Sequence, residues 1–547
     1  MNTLGRFSLA CVLASASFLL RAQCPTGTIE LESQTDVDNF VATYPNCSSP
    51  EGNMRIGKFG EPTDITDLSG LQILTDLGGE LTITQNAMLT SLNGLQNISS
   101  IAGRLEISRN NQLTNLEGLQ SLSAIGTRMD IFLNEALIDL DGLQSLNSLG
   151  DLDLFGNSAL TSLNGLQGLT TMSGGIRMDD NDNLTSLNGL QSITTVAGDV
   201  IIIEHDALLN LSGLESLNII RGELDISDNA ALTSLNGLPA LNTLEDDLTI
   251  QRNSSLTDLG NFTSLDSLGG SLIINVNDAL ENLNGLQEIT YIQDVVSING
   301  NISLTSLSGL DGLVEIGENI AIGANPVLPN LRGLEALTTV GGGTIITTNE
   351  SLESLDGLES LSRMSNNLFI SNNTTLTDLS ALQQLTIVGG SLNIVVNPAL
   401  ANLSGLENIN PDSLIGLSVS NNAILSECAV QSICAYLSDP DNTASISGNI
   451  DNCANRMTVE TDCITSTDDA QLARPIMLFP NPTYGQLTLP VEISAEEVKV
   501  YNGQGQLVAR HETHGNTVDI GKLQAGIYFL KLQDKNGHYQ ARIVKLD

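Results

Sequence analysis

LTITQNAMLTSLNGL, residues 81–95, contains the phrase that decides the fold. Its first three residues alternate apolar, polar and apolar, which is typical of a β-strand with one buried face. The closing phrase LxxLxGL recurs every 24 residues, with one step of 23 from Leu137 to Leu160. Its copies begin at Ile65, Leu89, Leu113, Leu137, Leu160, Leu184, Leu208, Leu232, Leu256, Leu280, Leu304, Leu328, Leu352, Leu376 and Leu400. Such a unit is too small to bury its own leucines, so the repeat predicts stacked coils that share one core.

A short strand phrase lies eight residues before each leucine phrase, as in LEI from Leu105 and LDI from Leu224. One strand per coil predicts a parallel β-sheet along the stack, in which each strand pairs with the next coil. Counting from Met54 to Val419, we predict sixteen strands. The predicted fold class is therefore mainly β, a single long parallel β-solenoid.

An asparagine column keeps the same register as the leucines. It comprises Asn86, Asn110, Asn134, Asn157, Asn181, Asn229, Asn253, Asn277, Asn301, Asn325, Asn349, Asn373, Asn397 and Asn422. A side-chain amide both donates and accepts, so stacked asparagines are predicted to bond the backbone of adjacent coils. His205 interrupts the column. We interpret it as a tolerated substitution, with a pH-sensitive or metal-binding spot beside Glu204 and Asp206 as the alternative.

The charge of the chain excludes several classes of partner. The formal net charge is −42, and residues 23–476 carry 12 basic and 56 acidic side chains. Binding to nucleic acid or to anionic lipid needs clustered lysine and arginine, so neither is predicted. After residue 20, no apolar run is long enough for a transmembrane helix.

Both ends of the stack need closing, because open strand edges pair with other chains. Residues 33–40 and 428–437 are predicted to be capping helices, with Val37 and Phe40 facing the first strand. Of the seven cysteines, Cys11 lies in the apolar run near the start of the chain, which is predicted to be removed as a signal peptide. The other six flank the repeats and none lies within them: Cys24, Cys47, Cys428, Cys434, Cys453 and Cys463. An even number in an exported chain indicates disulfides. A Cys24–Cys47 bridge is predicted at the front, while the last four allow three pairings.

The pattern LxIxxNxxLxxLxGL resembles leucine-rich repeats and, more closely, the receptor L-domain type of β-solenoid. The resemblance covers about residues 24–465. By analogy with cysteine-rich repeat caps, it implies the pairs Cys428–Cys453 and Cys434–Cys463. It implies an architecture but no particular ligand, since one fold serves many functions.

The composition changes after residue 476, where lysine returns and short alternating strands predict a small immunoglobulin-like β-sandwich. This segment resembles the C-terminal sorting domain of the type IX secretion system of Gram-negative bacteria. The residues that carry the resemblance are Pro480, Asn481, Pro482, Gly485, Tyr501, Gly505, Leu523, Gly526, Tyr528 and Lys545. The resemblance implies recognition by the outer-membrane secretion machinery, removal of the domain, and release or surface attachment.

The start of the chain is read as a signal peptide, with Arg6 before an apolar run over residues 8–20. We therefore expect export through the inner membrane and then a location on the outer-membrane surface or outside the cell. The predicted organisation is a signal peptide (1–22), an N-terminal cap (23–60), solenoid repeats (61–425), a cysteine-rich cap (426–465), a linker (466–476) and a sorting domain (477–547).

The predicted function is non-catalytic binding or adhesion toward a protein or glycan ligand. No HExxH, GxSxG or phosphate-binding loop is present. The outward positions of the predicted strands place Asp130 beside Asp153 and Phe132 beside Phe155 on adjacent coils. Like charges directly opposite each other repel, and contiguous exposed apolar groups mark partner sites. The hypothesis is a ligand patch of Glu106, Asp130, Phe132, Asp153, Phe155 and Asp179.

No cofactor is predicted apart from a possible cation at this patch. Residues 179–183 (DDNDN) look calcium-like, but they lack the glycine and the distal glutamate of an EF-hand. A secreted carbohydrate-active enzyme is the alternative function, and an ice- or mineral-binding solenoid is a further one. Ice or mineral binding would need a regular array of threonines. The column that contains Thr90, Thr114, Thr161, Thr185 and Thr233 is interrupted at Ile138 and Leu209, which argues against this alternative.

Overall fold

A computed structural model describes residues 24–465, 474–476, 478–490, 497–502, 507–513, 516–534 and 537–546. The predicted signal peptide, residues 466–473 of the predicted linker, and Gly505 lie outside the described residues. Residues 24–465 form a parallel β-solenoid with a single hydrophobic core that runs from Ile29 to Val459.

The main sheet has 18 strands, one from each successive coil, all parallel and in register. Its strands are Ile29–Leu31, Met54–Gly57, Leu81–Thr84, Leu105–Ser108, Arg128–Phe132, Asp151–Phe155, Ile176–Asp179, Val200–Ile203, Leu224–Ser227, Leu248–Gln251, Leu272–Asn275, Val296–Asn299, Ile320–Gly323, Thr344–Thr347, Leu368–Ser371, Ser391–Val395, Gly416–Ser420 and Ala444–Ser447. The predicted sixteen strands are all present. The two additional strands, the first and the last, belong to the caps, where each continues the backbone ladder over an otherwise open edge.

A second strand of two residues in most coils was not predicted. These strands are Asp76–Leu77, Ser100–Ile101, Ala124–Ile125, Thr171–Met172, Thr195–Val196, Ile219–Ile220, Thr243–Leu244, Ser267–Leu268, Tyr291–Ile292, Glu315–Ile316, Thr339–Val340, Arg363–Met364 and Ile387–Val388. They form separate sheets of three, four and six strands. The three-stranded and four-stranded sheets are separated at the 23-residue coil, where Ser148 and Leu149 make only isolated bridges.

The repeat glycines and asparagines hold the corners of the coils. Gly94 has φ +123°, and a Cβ there would lie 2.0 Å from the carbonyl oxygen of Leu68, so the corner excludes a side chain. The asparagines are fully buried. Asn110 Nδ2 donates to the Ile83 carbonyl at 2.9 Å, and Asn110 Oδ1 accepts from the backbone N–H of Asn86 at 3.1 Å. Each asparagine thus ties its coil to the preceding one.

The caps combine short helices with disulfides. The helices of the caps are Gln34–Asp38, Phe40–Thr43, Gln431–Leu437 and Arg456–Thr465. Of the 3₁₀ turns, Asp451–Cys453 belongs to the C-terminal cap, while Ser69–Leu71, Ser380–Gln384 and Pro411–Ser413 lie in the repeats. Val37 and Phe40 are fully buried, and Ser33 forms a capping box with Asp36. The disulfides are Cys24–Cys47, Cys428–Cys453 and Cys434–Cys463, the pairings favoured from the sequence.

The C-terminal module has two sheets around its own core. The larger contains Arg474–Pro475, Gly537–Lys545, Gly526–Asp534, Glu497–Asn502 and Leu507–Glu512 in that order, and the smaller pairs Gln486–Thr488 with Thr517–Asp519. The antiparallel pairing agrees with the predicted sandwich. Arg474–Pro475, placed in the linker from sequence, instead pairs with the last strand.

Candidate functional site

The predicted ligand patch lies on the outer face of the main sheet. Asp130 is opposite both Glu106 and Asp153 in the strand register, and Phe132 is opposite Phe155. Asp179 follows Phe155 on the next coil. The structure therefore brings the six predicted residues together on four successive coils.

Two of the four carboxylates of this patch, Glu106 and Asp130, are less accessible than outward strand positions usually are. Glu106 and Asp130 are buried, with 6% and 3% of their surface exposed, and Asp153 is only half-buried. Phe132 is half-buried, while Phe155 retains 38% exposure. The alternation of a strand identifies its outer face, but it does not reveal the long side chains that fold over that face.

Three arginines that were not among the predicted site residues cover the carboxylates. Arg104 contacts Asp130, and its Nη1 lies 2.8 Å from Glu106 Oε2. Arg128 contacts both Asp130 and Asp153. Their presence removes the predicted repulsion between Asp130 and Asp153, because each carboxylate faces a guanidinium group. A clustering of basic residues in an otherwise acidic body was the available signal.

These ion pairs fix the charge state of the central arginine. Burial opposes the charge of Arg128, but hydrogen bonds and attraction from Asp130 and Asp153 outweigh it and raise the pKa of Arg128. Arg177 forms a separate ion pair within the next coil, with Nη2 2.7 Å from Asp179 Oδ2. The result is a row of bonded, oriented charges.

A pocket of about 170 Å³ opens between these side chains. It is lined by Arg104, Arg128, Asp130, Phe132, Asp153, Phe155 and Arg177. This wall combines aromatic rings with donors and acceptors that are already held in place, which is the usual composition of a ligand site. Such a pocket can bind a ring-sized polar group, whereas its volume is below the roughly 300 Å³ of most small-molecule sites.

The pocket coincides with the irregular coil of the repeat. Leu149 and Leu152 are three residues apart, whereas the equivalent Ile125 and Met129 are four apart, so the corner at Gly150 is one residue short. The strands on either side of it, Arg128–Phe132 and Asp151–Phe155, pair over five residues. The next strand pairs over four.

The alternative of a cation bound at the patch finds no support in the geometry. Within the described ranges, no group of three or more histidine, cysteine or carboxylate side chains is arranged to hold a metal ion. In the calcium-like stretch, Asn181 is buried, and its amide donates to the Leu154 carbonyl at 2.9 Å. Burial raises the pKa of Asp180, and the charges of Asp182, Asp179 and Asp206 raise it further.

His205 occupies its place in the asparagine ladder as a neutral ring. Its Nδ1 accepts from the Asn181 N–H at 3.2 Å, and its backbone N–H donates to Asn229 Oδ1 at 3.1 Å. The ring is fully buried, and Nε2 makes no hydrogen bond with the residues described. Glu204 and Asp206 are exposed, so they do not join His205 in a metal site. Burial lowers the pKa of His205 to about 4.

The sorting-domain residues build the C-terminal module around its last strand. Asn481 Nδ2 donates to the Arg542 carbonyl and Asn481 Oδ1 accepts from the Val544 N–H, both at 2.8 Å. Lys545 is buried and its Nζ contacts the Leu546 carbonyl. The first and last predicted motifs therefore form one structural unit.

The remaining predicted sorting residues occupy turns and strands of the same module. Gly485 has φ +141°, and a Cβ there would lie 2.6 Å from the Cα of Gly521. Tyr528 Oη donates to the Gln524 carbonyl at 3.0 Å. Pro480 and Pro482 flank Asn481, Leu523 packs against the core, Gly526 begins a strand, and Tyr501 lies beneath Lys531.

Comparison with known proteins identifies the C-terminal module. The family model described as a secretion system C-terminal sorting domain matches residues 477–546. An endo-acting ulvan lyase from Formosa agariphila is 28% identical over 91 residues, which are 16% of this chain and 18% of that enzyme. The functional domain of InlJ from Listeria monocytogenes is 14% identical, with 94% of this chain and 98% of that one covered and a TM-score of 0.22.

The chain therefore carries a secretion-system sorting domain behind a leucine-rich β-solenoid. The sorting domain implies engagement of the type IX secretion machinery and export to the cell surface or the extracellular space. Among the described helices, none is long and apolar enough to cross a membrane. The match to the lyase spans less than a fifth of that enzyme. The likeness of the solenoid to receptor L-domains stays a prediction.

Proposed function

We propose that this protein is an exported, non-catalytic binding or adhesion protein that recognises a protein or glycan ligand on the outer face of its main sheet. The observation that supports the proposal most is the pocket at the shortened coil. There the regular repeat is interrupted, and aromatic rings, guanidinium groups and carboxylates converge on one cavity. A stack built only for stability has no need of such a departure.

The carbohydrate-active enzyme remains the second candidate because a short stretch of the chain is similar to a lyase. An enzyme acting at this pocket needs a group free to take or give a proton. Asp130 and Asp153, the carboxylates that line the pocket, are both engaged by arginines. That arrangement favours recognition over proton transfer.

The proposal is tested by measuring binding of the full chain to immobilised glycans and purified surface proteins, alongside turnover of polysaccharides. The Phe132→Ala/Phe155→Ala double variant is expected to lose binding. Ile345→Ala/Phe369→Ala is a matched control, because these residues are also opposite each other on the outer face, far along the stack. Turnover of a polysaccharide, or equal binding by both double variants, would contradict the proposal.

A further inference from the structure

The charge balance of the pocket selects the kind of ligand that it accepts. Three arginines line it together with two aspartates, and the carboxylates bonded to those arginines from outside the lining are Glu80, Glu106 and Asp179. An anionic ligand would have to displace carboxylates from the arginines and approach a strongly acidic body. A cationic ligand would face the lining arginines directly. An uncharged polar ligand meets neither obstacle.

The wall of the pocket offers both an apolar surface and adjacent hydrogen-bonding groups. Phe155 keeps an exposed ring next to Asp153 and Arg128, which accept and donate hydrogen bonds respectively. A sugar ring presents a face of C–H bonds that packs on an aromatic ring. Its neighbouring hydroxyl groups both donate and accept, so one can donate to a carboxylate while the next accepts from a guanidinium group.

The polar groups are ordered before any ligand arrives. Asp130 is held by both Arg104 and Arg128, and Asp153 is held by Arg128. Groups that are already fixed lose little conformational entropy on binding, which favours a ligand that relies on directed hydrogen bonds. The volume of about 170 Å³ suits one ring rather than a long segment.

We infer that this pocket binds a single uncharged sugar ring of a glycan, stacked on Phe155 and hydrogen-bonded to Asp153 and Arg128. The inference rests on the proposed function and adds the class of ligand to it. The pocket opens on the sheet face, so the rest of a glycan chain can extend across neighbouring coils.

The test presents the full chain with immobilised neutral oligosaccharides of glucose, mannose, galactose and xylose, with polyuronate and sulfated glycans as separate arms. Calorimetry with the free neutral oligosaccharides then gives affinities. Phe155→Ala is expected to weaken neutral-glycan binding by roughly tenfold, the size of a stacked aromatic contact. Phe155→Leu keeps apolar bulk but loses the flat ring, and it is expected to weaken binding similarly. Added salt should change the affinity little, because no net charge is paired.

Phe369→Ala is the matched control, and its affinity should equal that of the unmodified chain. Full binding by Phe155→Leu would overturn the stacking argument. Salt-sensitive binding to a charged glycan or to a basic protein that still depends on Phe155 would overturn the inference while leaving the proposed function intact. If no Phe155-dependent ligand is found among these glycans or among the surface proteins of the binding test for the proposed function, both the inference and the proposed function are overturned.

Discussion

Replacing His205 by asparagine should remove a measurable part of the acid sensitivity of the solenoid. The His205 side chain is buried, and its pKa is lowered from 6.5 to about 4, mainly by burial, although the charge of Asp179 opposes the shift. The folded state therefore holds the ring neutral at pH values where the unfolded chain protonates it. Stability from this residue is fully present above pH 6.5 and is lost as the pH falls from 6.5 toward 4.

The magnitude follows from those two values. Their difference corresponds to about 3 kcal/mol in total, of which about 2 kcal/mol is lost between roughly pH 7 and pH 5. Protonation would also turn Nδ1 into a donor. It would then face the Asn181 N–H, which in the neutral state donates a hydrogen bond to Nδ1 at 3.2 Å. Asparagine at this position supplies the same side-chain amide that the neighbouring coils have at the equivalent position, and it does not titrate.

The assay is urea unfolding of the full chain and of His205→Asn at both pH values, with hydrogen exchange to localise the effect to the coils around residue 205. The change in unfolding free energy with pH should be about 2 kcal/mol smaller in the variant. Titrating carboxylates affect both proteins alike and cancel in this comparison. The reasoning is refuted if the unfolding free energies of the two chains depend equally on pH. It is also refuted if hydrogen exchange at the His205 ring carbon has its midpoint near pH 6.5, because the ring would then titrate as in the unfolded chain.

Three further predictions concern the solenoid itself. Val276 has φ +58° and is exposed, so Val276→Asn, the residue type found at the equivalent Asn372, should stabilise the chain by about 1 kcal/mol in thermal unfolding. Asn253→Ala leaves two buried backbone groups of the preceding coil without partners and should cost roughly 3 kcal/mol, whereas an unchanged melting temperature would contradict the ladder's role. Cys24→Ser/Cys47→Ser opens a loop of 23 residues and should destabilise the N-terminal cap by about 3 kcal/mol, seen as faster exchange in its first strand.

The sequence predicts the solenoid well because its period forces one solution. Residues that recur every 24 positions must occupy equivalent places in a stack, so the leucines, the asparagines and the main strands follow from spacing alone. The two cap strands, Ile29–Leu31 and Ala444–Ser447, contain no repeat phrase, so the period did not predict them. Asn449 continues the asparagine ladder beyond Asn422, but it lies 27 residues after that residue instead of 24. The second strands are two residues long, which is too short for any alternation to appear.

The candidate site was predicted only in part, for a physical reason. Strand register placed Phe132 opposite Phe155 and Asp130 opposite Asp153, and both placements are confirmed. Burial depends instead on how neighbouring side chains lie across the face. Arg104 and Arg128 precede the inward positions of their strands, and no spacing rule reports that their guanidinium groups reach over the next coil.

The position of the pocket also explains why the repeat tolerates it. The shortened corner at Gly150 lies away from the asparagine ladder, and Asn134 still bonds Asn157 across the 23-residue coil, with its backbone N–H 3.2 Å from Asn157 Oδ1. The leucine columns continue on both sides with no exposed member. A change of length at a corner therefore alters the outer face without opening the core. Because each coil contacts only its neighbours, such a change stays local, and a repeat protein can gain a binding site at one coil while the rest of the stack remains regular.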